Sequence, residues 1–122
     1  MDAYIYQADI YCEDCGEKLC REFDKPDGMD SDNESSWDSD DYPKGPYPDG
    51  GGEADCPQHC GGCGTFLENP LTGDGREYLL DAISEAIAGG GGDIAVLEEW
   101  AEYYDVRLSE LLSYHHKRMG IR

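Results

Sequence analysis

"CPQHCGGCGTFLENPLT", residues 56–72, sets Cys56, His59, Cys60 and Cys63 inside eight positions and then turns apolar. So dense a set of soft donors points to metal ligation and needs partners from elsewhere in the chain. "CEDCG", residues 12–16, supplies them: Cys12 and Cys15 repeat the two-residue gap of Cys60 and Cys63. That gap lets both sulfurs of a pair face one point. The glycine after each pair, Gly16 or Gly64, tolerates a turn that aims backbone amides at sulfur. Two pairs make a closed set of four thiolates, suited to a structural zinc ion and leaving no open position for catalysis. The predicted ligands are Cys12, Cys15, Cys60 and Cys63.

The 44 residues between Cys15 and Cys60 are an unusually long spacer for such a site. Closing that loop costs about 3 kcal/mol plus a constant. A structural zinc contributes about 10 kcal/mol or more in small domains. The metal outweighs the loop, so the spacer reads as an insertion into a zinc-ribbon-like hairpin. Disulfides or free thiols are the alternative state of these cysteines. Cys20, Cys56 and His59 are left over. A second or exchanging site is one reading; the simpler one makes Cys20 a small core residue and lets Cys56 and His59 flank the knuckle.

Around the cysteines the patterning predicts a small α+β fold. "AYIYQADIYC", residues 3–12, alternates with a period near two and predicts a strand running into Cys12, with Tyr4, Tyr6, Ala8 and Ile10 on one face. "EKLCREF", residues 17–23, reads as the returning strand. Residues 24–55 are rich in Asp, Gly, Pro and Ser and poor in aliphatics. They read as a long acidic loop that buries too little to order itself, with Trp37, Tyr42 and Tyr47 as local anchors. "TFLEN", residues 65–69, predicts a short strand.

Three helices follow. Asp74 is placed to cap the first, which starts near Arg76 and carries Tyr78, Leu79, Ala82, Ile83, Ala86 and Ile87 as an apolar stripe. It stops at "GGGG", residues 89–92, where continuation is costly. Asp93 caps the second, with Ile94, Leu97, Trp100, Ala101 and Tyr104 inward; the third buries Leu108, Leu111 and Leu112. The expected organisation is a zinc-ribbon-like region over residues 1–72 with the acidic insertion 24–55, then a helical region over 73–122.

Charge narrows the function. The 122 residues carry 28 acidic and 9 basic side chains, a formal charge of -19. Such a surface repels nucleic acid and anionic membrane and attracts basic proteins. No stretch approaches the roughly 18–20 apolar residues of a membrane span. The N-terminal sequence lacks a basic start and an apolar run, so the expectation is a cytoplasmic protein with reduced thiols.

Weaker motifs carry less. "DSDNE", residues 30–34, opens like a calcium loop, but Ser35 stands where Gly is needed and Asp41 where a bidentate Glu is needed. "GGGGD" has no preceding strand and no Lys, so it is not a phosphate cradle. "LEEWAEYYDVRLSELLSYHHKR", residues 97–118, is similar to part of a helix-turn-helix, with Arg107, His115, His116, Lys117 and Arg118 as cationic contacts. Glu98, Glu99 and Glu102 oppose that use, and a small helical bundle is the commoner explanation. No Ser/His/Asp or Cys/His pairing stands out, so no enzymatic activity is expected.

"YQADIYCEDCG" and "GPYPDGGGEADCPQHCGGCGTFLENPLT" together resemble a group of small phage and bacterial proteins with two CxxCG knuckles and a GPYPDGGG acidic insertion. The likeness covers roughly residues 1–72 and is weaker over the helices. It implies a phage or prophage setting, hence a bacterial host cell, and metal ligation by Cys12, Cys15, Cys60 and Cys63. It carries no mechanism.

The expected function is a zinc-stapled acidic protein that presents Asp30, Asp32, Glu34, Asp38, Asp40 and Asp41 to a basic partner. In the phage setting its concrete form is an inhibitor of a host nucleic-acid-binding defence complex, anti-CRISPR-like, with carboxylates in place of DNA phosphates. The alternative is a zinc-ribbon regulator or adaptor that contacts DNA or the transcription machinery through its basic tail, Lys117 to Arg122. Against both stands an acidity shared by the organism's whole proteome, with no role at this surface.

Overall fold

A computed structural model describes residues 1–89 and 92–118. Two glycines of the run at 89–92 and the tail residues 119–122 lie outside the described residues. The architecture is α+β, a three-stranded antiparallel sheet and four helices.

The predicted N-terminal strand is in fact a hairpin. β1 (Ala3–Tyr6) pairs antiparallel with β2 (Asp9–Cys12), with Tyr6 opposite Asp9. Gln7 and Ala8 form the two-residue turn, at φ 49° and 61°. A turn of that length needs left-handed backbone at both positions so that its twist matches the strands. Neither residue is the usual glycine or asparagine, which is why the alternation of Tyr and Ile reads through the turn. The amide of Gln7 is held by the carbonyl of Ser39 at 3.0 Å.

Residues 17–23 are not a returning strand. α1 (Glu13–Glu22) starts directly after Cys12, whose sulfur caps it by accepting the Cys15 amide. Glu13 and Asp14 sit in its first turn and complement the helix dipole. Gly16, Leu19, Cys20 and Phe23 recur at three- and four-residue spacing, and the intervening Glu, Lys and Arg are good helix formers. Gly16 is inside this helix, so a special turn does not explain it. A Cβ there would lie 2.2 Å from the Tyr4 ring. The glycine lets α1 lie flat on β1.

The acidic segment also contains structure. β3 (Lys44–Tyr47) adds to the free side of β1, giving the order β2-β1-β3, with Ala3 opposite Tyr47 and Ile5 opposite Lys44. Tyr42 is buried, its hydroxyl donating to the Cys20 carbonyl at 3.0 Å. The Trp37 indole donates to the Tyr42 carbonyl at 3.2 Å. Lys44 lies 5.3 Å over the Trp37 ring and donates to the Glu34 carbonyl at 2.7 Å. Aromatic rings and one lysine thus anchor a segment that has almost no aliphatic residues. "TFLEN" yields only a single bridge, Phe66 opposite His59.

The helical half is α2 (Gly73–Ile87), α3 (Ile94–Tyr103) and α4 (Leu108–Arg118). Thr72, not Asp74, caps α2: its hydroxyl accepts the Gly75 amide and donates to the Asp55 carboxylate. Asp93 caps α3 as its position predicts, accepting from Ala95 and Val96. Phe66, Leu79, Ile83 and Trp100 form the core of this half. A second apolar cluster, Ala3, Cys12, Cys60 and Leu67, lies under the hairpin. Phe66 and Leu67, adjacent in sequence, enter different clusters and so join the two halves.

The helical stripes are only partly covered. Helical periodicity turns Ile94, Leu108 and Leu112 inward, yet they are 66%, 71% and 53% exposed, and Ile87 is 72% exposed. Three short helices cannot enclose stripes that wide. No helix of the described residues is long and apolar enough to cross a membrane.

Candidate metal centre

The four sulfurs of Cys12, Cys15, Cys60 and Cys63 all lie within 4.8 Å of one another. Cys12 ends β2 and caps α1; Cys15 is in the first turn of that helix. Cys60 and Cys63 come from a tight turn closed by the Gly64 amide on the Cys60 carbonyl (2.9 Å) and the Cys60 amide on the Thr65 carbonyl (2.8 Å). Gly64 is at φ 78°, a left-handed position that glycine occupies without penalty. The two CxxCG motifs therefore differ: one opens a helix, the other is a true knuckle. The Gly61 amide donates to the Ile10 carbonyl at 2.8 Å and docks the knuckle on the hairpin.

The geometry suits one ion held by four sulfurs. A tetrahedron with metal–sulfur distances of about 2.3 Å has sulfur–sulfur edges of about 3.8 Å. The Cys12 and Cys63 sulfurs are 3.7 Å apart. Cys12 and Cys60 are buried, Cys15 is half-buried and Cys63 is exposed, so the site is most open to solvent at Cys63.

Electrostatics favour the thiolate at Cys60 over those at Cys12 and Cys15. Burial opposes ionisation of Cys60, but amide hydrogen bonds from Cys12, Cys63 and Gly62 overcome it and bring its pKa down to about 6. The Gly62 and Cys63 amides lie 3.3 and 3.4 Å from that sulfur. Burial, followed by the neighbouring thiols, pushes Cys15 up to about 12; burial also raises Cys12. A thiolate favoured at Cys60 beside thiols favoured at Cys12 and Cys15 is an arrangement that a divalent cation would relieve by displacing protons.

The leftover donors do not join the cluster. Cys20 lies on α1, and Cys56 accepts a contact from the Gln58 amide group at 3.6 Å. His59 is more than a flank. Its Nε2 accepts from the Trp100 indole at 3.0 Å, which places the proton on Nδ1, where it donates to the Gly64 carbonyl at 3.0 Å. The ring stacks on Phe66 at 5.4 Å. Asn69, fully buried, is the other residue that the sequence leaves unmarked. Its side chain accepts the Gln58 amide and donates to the Cys56 and Pro70 carbonyls, while its own carbonyl accepts the Tyr104 hydroxyl at 2.5 Å. Only Trp100 of α3 and Tyr104 at its C-cap, distant in sequence, reveal these roles.

Asp30, Asp32, Glu34, Asp38, Asp40 and Asp41 are all exposed. Asp30 and Asp38 each accept an amide two residues on, from Asp32 and Asp40 at 3.0 Å, and so shape the loop. Among the described residues, the four cysteines are the one group of metal-ligating side chains that gathers. No family model, curated protein or solved structure matches this chain, which leaves the site's own chemistry as the ground for its function.

Proposed function

We propose that the chain is a non-enzymatic binding protein, stapled by one structural zinc ion on Cys12, Cys15, Cys60 and Cys63, that presents carboxylates to a basic protein. The carrying observation is the pairing of a closed four-sulfur cluster with an anchored acidic loop. Zinc suits a set of four thiolates, and with no position left for substrate the metal's work is structural. It ties the hairpin and α1 to the loop that leads into the helices. The acidic loop lies against that framework at Gln7 and Cys20 and is braced internally by Lys44, with its six carboxylates turned to solvent.

A fixed display of carboxylates on a chain of charge -19 suits competition for Lys and Arg in a phosphate-binding groove. In a phage setting the target is a host nucleic-acid-binding complex. The test is a pull-down from host lysate at moderate and high salt, with and without competing DNA. It is run with the native chain and with a variant carrying Asn or Gln at the six loop acids. One stoichiometric nucleic-acid-binding complex, displaced by DNA and lost in the variant, supports the reading. Capture that survives high salt and neutralisation overturns it.

A further inference from the structure

We infer that the groove between α2 and α3 is the docking site for a basic amphipathic helix of a protein partner. This deepens the proposed function, and rests on it for the partner's charge. The groove is lined by Ile83, Ala86, Ile87, Ile94, Leu97 and Ala101 and has a volume of about 320 Å³. Ile87 and Ile94 stand at its mouth, 72% and 66% exposed. From Ile94 to Ala101 the groove follows α3 for about 10 Å, two turns of helix. Apolar rows at helical spacing on both walls fit a third helix that inserts side chains at i, i+3, i+4 and i+7.

Charge selects the occupant. The one charged residue lining the groove is Glu98, and Glu102, one turn further along α3, is also exposed. Asp93 caps α3, next to Ile94 of the groove lining. Each is placed to meet Lys or Arg flanking the apolar face of an incoming helix. A second copy of this chain fits poorly, because it would bring another -19 against the same acidic wall.

The test titrates the full chain, followed calorimetrically and by backbone amide shifts, with a synthetic Leu/Lys peptide whose Leu fall at i, i+3, i+4 and i+7. A peptide of the same composition in scrambled order is the control. The patterned peptide should bind about tenfold more tightly or better, shifting α2 and α3. Replacing both isoleucines (Ile87→Ser with Ile94→Ser) should weaken it by about tenfold or more. Both residues are exposed, and unchanged circular dichroism would show that the fold survives. Neutralising the six loop acids should leave peptide affinity within about twofold. Equal binding of both peptides, lost in the loop variant, would overturn the groove and leave the carboxylate reading standing. No binding of the patterned peptide would overturn the groove, and the lysate pull-down would then judge the carboxylate reading separately. Self-association abolished by the double substitution would make a second copy the occupant, and would also overturn the proposal.

Discussion

The Trp100 indole donates to His59 Nε2 at 3.0 Å, so the residue beside Cys60 of the four-sulfur cluster is fixed by the helical half of the molecule. Phe66 packs under the same imidazole. The knuckle cannot shift without disturbing α3. His59→Phe leaves the indole N–H in a half-buried site without its acceptor, at a cost of about 1–3 kcal/mol. Trp100→Phe in the same chain removes the orphaned donor and should restore part of the loss. A double-mutant cycle by urea unfolding reads the coupling; strict additivity would show that the bond contributes nothing.

Replacing one buried ligand should cost far more. Cys12→Ser removes one sulfur from the four-cysteine cluster but leaves a hydroxyl able to cap α1, so the variant should lose stoichiometric metal and, with it, the hold of the knuckle on the hairpin. Metal content and circular dichroism check it. A normally folded, metal-loaded Cys12→Ser chain would refute the four-cysteine site.

Asn69→Leu should destabilise by about 2–4 kcal/mol, since it strands the Gln58 amide and the Cys56 carbonyl in a fully buried site. Chemical denaturation measures it. A change below about 0.5 kcal/mol would mean that the loop rearranges without penalty.

Arg76 reaches Glu110 through two nitrogens, at 2.8 and 2.5 Å, and also donates to the Tyr104 carbonyl at 2.6 Å. Those hydrogen bonds hold the Glu110 carboxyl below its ordinary value. A carboxylate depressed in the folded state stabilises above the ordinary carboxylate range and loses that contribution as pH falls through its folded value. Both side chains are about one-third exposed (32% and 33%), so solvent screening limits the effect to about 1 kcal/mol. Glu110→Gln should be less stable than the native chain at neutral pH and equal to it in acid. A gap unchanged across that range would assign the effect to packing.

What was legible in the sequence is what local chemistry dictates. The spacing of Cys12, Cys15, Cys60 and Cys63 names the residues that come together, and Asp93 marks the start of α3. The second CxxCG is the turn its glycine implies. The first is not, because Gly16 answers to the Tyr4 ring, a contact that no local pattern encodes. The helical spacing in 13–22 was readable, yet the neighbouring alternation of Tyr and Ile favoured strands. β3 was hidden because Lys44–Tyr47 lies among turn formers and gains its pairing from β1. The exposure of Ile87 and Ile94 depends on how three helices pack, which periodicity alone does not determine.

The most direct test of the central claim is X-ray absorption at the zinc edge on the purified full chain, with metal content measured on the same sample. A four-thiolate staple gives one zinc per chain and four sulfur scatterers at about 2.3 Å, with no nitrogen or oxygen in the shell. Nitrogen or oxygen ligands at about 2.0 Å, or a folded chain free of metal, would contradict it.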